Sequence, residues 1–185
     1  MGRQKTIDRD ALLDLAEGIV RRHGAGALTI DALAKAAGIT KGGVQYSFTS
    51  KAALIDAICE RWMQSYEELF SHLLPETPTP EQTIRAHVGA TFLDDGPAQA
   101  KAASLMTAML QSPEFMEATR QWYLTRTADL DPATPEGRSA RLAFLATEGA
   151  FCLRFLGLMD FDAAAWASIH DDINDLIFRG SSRKE

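Results

Sequence analysis

Between positions 40 and 51 the chain reads Thr40-Lys41-Gly42-Gly43-Val44-Gln45-Tyr46-Ser47-Phe48-Thr49-Ser50-Lys51. Hydroxyls, ammonium groups and one carboxamide surround two adjacent glycines. Thr40, Tyr46, Lys41 and Lys51 are donors suited to phosphate oxygens, which fix register without reading sequence. Gln45 presents a donor and an acceptor side by side, the pattern that pairs with an adenine edge. Ser47 is a weaker candidate, and Thr29, at the head of the preceding segment, completes the expected contact set. Each glycine costs a short helix roughly 1 kcal/mol against alanine. The spacing therefore suggests that a bare backbone is wanted there, so that Gly42, Gly43 and their amides approach a nucleic-acid surface closely. A nucleotide-cradling loop fits poorly, because no strand precedes the glycines and the lysine stands before them.

Helical elements must position these groups. Leu12, Leu15, Ala16, Ile19 and Val20 form one stripe from about Asp8 to His23, stopped at Gly24. Thr29 caps a second helix with Ile30, Leu33 and Ala34 inward, ended by Gly38. Thr40 caps a third, with Ile39 and Val44 placed as a hydrophobic staple. Ser50 caps a long fourth helix to Leu74. Proline and Asp-rich breakers then separate helices near 81–94, 98–111, 113–129, 135–158 and 162–178. The expectation is all-α: nine helices and no strands, with a three-helix helix-turn-helix head.

Charge divides the same way. Residues 1–51 hold 8 Lys/Arg against 5 Asp/Glu, whereas the remaining 134 hold 11 against 20, so an overall charge of −6 conceals a basic head. Cys59 and Cys152 stand alone, as free thiols would in a reducing cytosol. The four histidines lack metal-ligand spacing, so no metal and no cofactor are expected. The apolar run 142–158 is short and charged for a membrane span, and the start lacks a signal peptide, which points to a cytoplasmic protein. No nucleophile–base pair appears, and an enzyme is not expected.

The segments Leu28-Thr29-Ile30-Asp31-Ala32-Leu33-Ala34-Lys35-Ala36-Ala37-Gly38 and Phe48-Thr49-Ser50-Lys51-Ala52-Ala53-Leu54 resemble the N-terminal domain of the tetracycline-repressor (TetR) family. Lys41, Gly42, Tyr46, Phe48, Ser50, Lys51 and Leu54 carry the likeness, which is specific over about residues 8–58. Ser47, Thr49 and Gln45 depart from residues that many members carry there, which bears on the bases read. The resemblance implies a DNA-binding domain at 1–51 and a ligand-binding and dimerisation domain at 52–185. It implies a homodimer through the helices near 135–158 and 162–178, a palindromic double-stranded operator, and repression relieved by a small-molecule effector. Independently, so apolar a helix needs cover on nearly every side, and Ala143, Ala146, Ala150, Ala163 to Ala165 and Gly157 would permit close approach.

Inside the acidic half, Trp62, Tyr66, Phe92, Met106, Met109, Trp122, Phe144 and Phe151 recur at helical spacing, either as plain core or as an adaptable cavity lining. Glu148 shares a face with Phe144 and Phe151, where a carboxylate needs a partner. That partner is either an organic cation or a structural one: Arg141, Arg154 or a group on a neighbouring helix. His87 is a further candidate for the lining. The cationic reading implies a hydrophobic effector and a multidrug efflux gene. The alternative is a metabolic operon sensing an anionic or neutral metabolite, and a helical adaptor that binds no DNA is a third reading.

Overall fold

The computed structural model describes residues 8–93 and 113–181, and among these it contains eight α-helices and no strand. They are α1 (Arg9–His23), α2 (Ile30–Ala37), α3 (Lys41–Ser47), α4 (Lys51–Leu73), α5 (Pro80–Leu93), α6 (Pro113–Thr127), α7 (Pro135–Phe155) and α8 (Ala163–Ser181). The helix expected over 98–111 lies outside the described residues.

The caps read from the sequence at Thr29, Thr40 and Ser50 are formed, and Asp8 adds one at the head of α1. Asp8 accepts from the Asp10 and Ala11 amides, Thr29 from Ala32, Thr40 from Gly43 and Ser50 from Ala53. Helix α2 ends in a left-handed residue, Gly38 at φ 66°, with the Ile39 amide reaching back to the Ala34 carbonyl. The same device stops α7: Gly157 sits at φ 65° and the Leu158 amide bonds to Leu153. This ends the helix at Phe155, three residues before the expected Leu158. Gly157 is thus a terminator and not a helix-packing residue.

The head core gathers Leu12, Leu13, Ala16, Ile19 and Val20 of α1, Leu28, Leu33, Val44 and Phe48 around Leu54 and Ile58 of α4. It also includes Phe155 from the end of α7. The head is therefore sealed by the first turns of α4 and by the end of α7, where Phe151 packs beside Phe155. A second core joins Ile84 and Val88 of α5 to Ala140, Ala143, Phe144 and Ala150 of α7 and Trp166, Ile173 and Ile177 of α8. Ala143 and Ala150 face inward within the chain. The outward stripe of α7 is instead Leu142, Leu145, Gly149 and Leu153, continued by Leu156 just past its end, all exposed.

Cys59 and Cys152 form no disulfide. Burial first, and then the charges of Asp56 and Glu60, push the Cys59 thiol up to about 12, while burial and Glu148 raise Cys152. The reactive thiolate is therefore suppressed at neutral pH. At pH 8 iodoacetamide should leave Cys59 unmodified in the folded protein and label it readily after unfolding, with intact mass as the readout. Rapid labelling of the folded chain would contradict the burial assigned to it.

Candidate DNA interface and effector site

Helix α3 is held from beneath and bare on top. Val44 is fully buried and Phe48 nearly so, whereas Thr40, Lys41, Gly42, Gln45 and Tyr46 are exposed, Tyr46 at 90%. An aromatic residue left so open on a well-packed head is a group without an internal role. Thr29 and Thr40 use a lone pair to cap their helices, 3.0 and 3.1 Å from the amide nitrogens. Each hydroxyl keeps its hydrogen for an outside acceptor. Lys41 Nζ lies 3.0 Å from Asp31 Oδ2, an open pair worth about 0–1 kcal/mol, readily exchanged for phosphate. Lys51 Nζ donates to the Ala25 carbonyl at 3.4 Å and so also ties α4 to the turn before α2. Ser47 is half-buried, and Gly43 is partly covered. A Cβ built on Gly42 meets only Thr40 Oγ1 at 4.0 Å, so nothing inside the chain requires glycine there.

A second cluster lies between α4, α5, α6 and α7. Tyr66, His87, Trp122, Tyr123 and Phe144 form a continuous set of rings with centroids between 4.9 and 6.0 Å apart. Glu148 enters it from α7. Its Oε2 accepts from the Tyr123 hydroxyl at 2.5 Å, and its Oε1 is 3.0 Å from His87 Nε2. The Tyr66 hydroxyl lies 2.6 Å from His87 Nδ1. His87 is 1% exposed, yet its Nε2 has no well-aligned hydrogen bond, so the tie to Glu148 is one of proximity. Burial above all, and the Glu148 charge second, hold the Tyr123 hydroxyl well above the usual phenol range, keeping it a donor.

Of the expected effector contacts, Tyr66, Trp122, Phe144 and Glu148 come together here. Three do not. Trp62 donates its indole N–H to Glu17 and packs on the head core, and Phe151 stacks on Phe155 against the same core. Phe92 stacks on Trp166 at 4.3 Å in the second core. Met106 and Met109 lie outside the described residues. Neither Arg141 nor Arg154 is the partner of Glu148, since Arg154 lies over the Trp166 ring at 4.2 Å and Arg141 is exposed. His87 and Tyr123, on neighbouring helices, take that place.

The same region holds residues that a search for aromatic stripes passes over. Glu67 accepts from Trp122 Nε1 at 2.7 Å and from Arg126 at 2.5 Å. The Arg126 guanidinium lies 3.4 Å from the Phe70 ring centroid. The signal was present: Arg126 follows Trp122 by four residues and Glu67 precedes Phe70 by three, so each pair shares a helix face.

Helix α4 links the two regions. Its first turns belong to the head core, and Arg61 Nη1 and Nη2 reach Asp14 and Glu17 of α1 at 2.7 and 2.6 Å. Tyr66, Glu67 and Phe70 belong to the second cluster. Among the described residues no group of His, Cys, Asp and Glu is arranged to hold a metal, and no helix is long and apolar enough to cross a membrane.

Two family models account for most of the chain. Residues 12–58 match bacterial regulatory proteins of the tetR family, and residues 81–178 match the tetracyclin repressor-like C-terminal domain. The chain belongs to the tetracycline-repressor family. The HTH-type transcriptional regulator EthR of Mycolicibacterium smegmatis is 28% identical over 138 residues, covering 72% of this chain and 64% of that protein. The matched region thus spans less than two thirds of that relative. A transcriptional regulator from Rhodococcus sp. Rha1 superposes with a TM-score of 0.67 at 18% identity, over 94% of this chain and 97% of that one. The multidrug binding protein EbrR, complexed with malachite green, superposes at 0.61 with 20% identity, over 95% and 99%. At such identities the likeness is one of fold.

Proposed function

We propose that the protein is a dimeric transcriptional repressor that places α3 in the major groove of a palindromic operator and is released by a hydrophobic organic cation. The observation that carries the DNA reading is the bare outer face of α3, where Gly42 has open space above it and Gln45 and Tyr46 are exposed. Thr29, Thr40, Lys41, Tyr46 and Lys51 anchor phosphates, and Gln45 reads a base with Ser47 at the margin. The dimer forms through the outward stripe Leu142, Leu145, Gly149, Leu153 and Leu156, joined by α8. A two-fold pair sets the recognition helices about 34–36 Å apart, one DNA turn.

The effector reading rests on the ring cluster with Glu67 and Glu148 at its edges, which supplies π faces and negative charge to one guest. EbrR, of similar fold, is a multidrug binding protein seen with a cationic dye, which supports the same class of ligand for this chain. The gene controlled would then be one that exports such cations. A guest wedged against Tyr66 and Phe70 displaces α4, and the Arg61 clamp carries that displacement to α1 and the head. Release follows to the extent that the guest binds the displaced state better than the DNA-bound one.

The division of labour on α3 is testable by quantitative gel shift over operator variants at several salt concentrations. Lys41→Ala should weaken all sequences alike and lower the salt slope by about 1, whereas Gln45→Ala should relax preference at one base position per half-site. Indistinguishable behaviour of the two variants would refute the assignment.

A further inference from the structure

The Arg126 side chain is only 12% exposed, and its charged end lies among two aromatic rings and a carboxylate. Its guanidinium carbon lies 3.4 Å from the Phe70 centroid and 5.0 Å from that of Trp122. Glu67 closes the box, accepting from Arg126 Nη2 at 2.5 Å and from Trp122 Nε1 at 2.7 Å. Two aromatic faces and a carboxylate are the elements by which proteins hold organic cations. The fit is incomplete, because Arg126 Nε is buried without a hydrogen-bond partner, a cost a well-matched guest would not carry.

We infer that Phe70, Trp122 and Glu67 form a cation site whose resident occupant is the chain's own Arg126, and that an incoming organic cation binds by displacing it. This rests on the cationic-effector reading and adds to it the place and the competitor. The exchange also has a mechanical consequence. Arg126 and Trp122 tie α6 to Glu67 on α4, so a guest that takes Glu67 from Arg126 loosens the helix that carries the head. Because the competitor is tethered, affinity for a guest is lowered by the fraction of time that the site is already filled.

The test is chemical replacement. Arg126→Ala removes the atoms that ethylguanidinium restores. Wild type and variant are compared by thermal melting with millimolar ethylguanidinium, and by calorimetric titration with the triarylmethane cation malachite green. The expected result is that ethylguanidinium raises the melting temperature of the variant but not of wild type. Malachite green should bind the variant at least about tenfold more tightly, a gain of about 1.4 kcal/mol. Adding Glu67→Gln should abolish both gains. Equal response of the two proteins to ethylguanidinium, or weaker dye binding by a folded variant, would overturn the inference and leave Arg126 a structural tie. If ethylguanidinium rescues the variant while wild type binds no organic cation at all, Arg126 is confirmed as the occupant, but displacement by a guest is refuted and the cationic-effector reading falls with it. Should Arg126→Ala not fold, Arg126→Gln carries the dye titration with the same expected and contrary results.

Discussion

Gly42→Leu should fold, melt at or above the parent temperature, and lose operator binding by at least about a hundredfold, or about 2.8 kcal/mol. Most substitutions that abolish function do so by unfolding, and this one is expected to separate the two. Leucine is favoured over glycine in a helix by up to about 1 kcal/mol, which bears directly on a seven-residue helix with two glycines. The Cβ at position 42 meets nothing nearer than Thr40 Oγ1 at 4.0 Å, so the free protein gains without strain. Only a surface approaching from outside would meet the added side chain. Circular dichroism melting and fluorescence anisotropy on labelled operator supply the two halves. A variant that binds within threefold of the parent would place the DNA face elsewhere on the head.

If α7 pairs two chains as proposed, the double substitution Leu142→Glu with Leu145→Glu should leave the protein monomeric at micromolar concentration and reduce operator affinity in parallel. The two side chains are 55% and 58% exposed in the single chain, one turn apart on α7. Covering the half of each leucine that is still exposed is worth about 1 kcal/mol, and burying an unpaired carboxylate instead reverses that gain. The melting curve of the isolated chain should change little, because neither leucine contributes to its own core. Gly149 lies in the same stripe, with nothing within 4 Å of an added Cβ, so close approach of a partner helix accounts for it better than internal packing does. Sedimentation velocity decides the matter. A dimer that survives both glutamates would move the interface off this stripe.

How much of this was legible in the sequence depends on the range of the interactions involved. Caps and stops are local chemistry: Thr29, Thr40 and Ser50 each bond an amide three residues on, and Gly38 takes the left-handed turn that ends α2. Such features need no knowledge of the rest of the fold, and they were readable together with the exposed face of α3. The effector region was readable only as a set of faces. Helical spacing says that Phe92, Trp62 and Phe151 lie on apolar stripes, but not which helix each stripe meets. Phe92 meets Trp166, while Trp62 and Phe151 meet the head.

Glu148 shows the same limit in electrostatic form. Arg141, Arg154 or a group on a neighbouring helix were the partners that spacing allowed; the structure takes the last, supplying His87 and Tyr123, residues 61 and 25 positions away in sequence that spacing along one helix does not name. Ala143 and Ala150 show it in packing terms. Small residues mark a face of close approach, and α7 uses that face toward its own chain and leaves the leucines outward.

Whether α3 of two joined chains reads DNA is decided by selecting bound duplexes from a random pool with the wild-type protein. The expected outcome is a single enriched inverted repeat whose half-sites are centred about one helical turn apart, 10–10.5 base pairs. Its binding should fall steeply as salt rises. Enrichment of no sequence, or of a lone half-site bound equally well by the Gly42→Leu variant, would contradict the account.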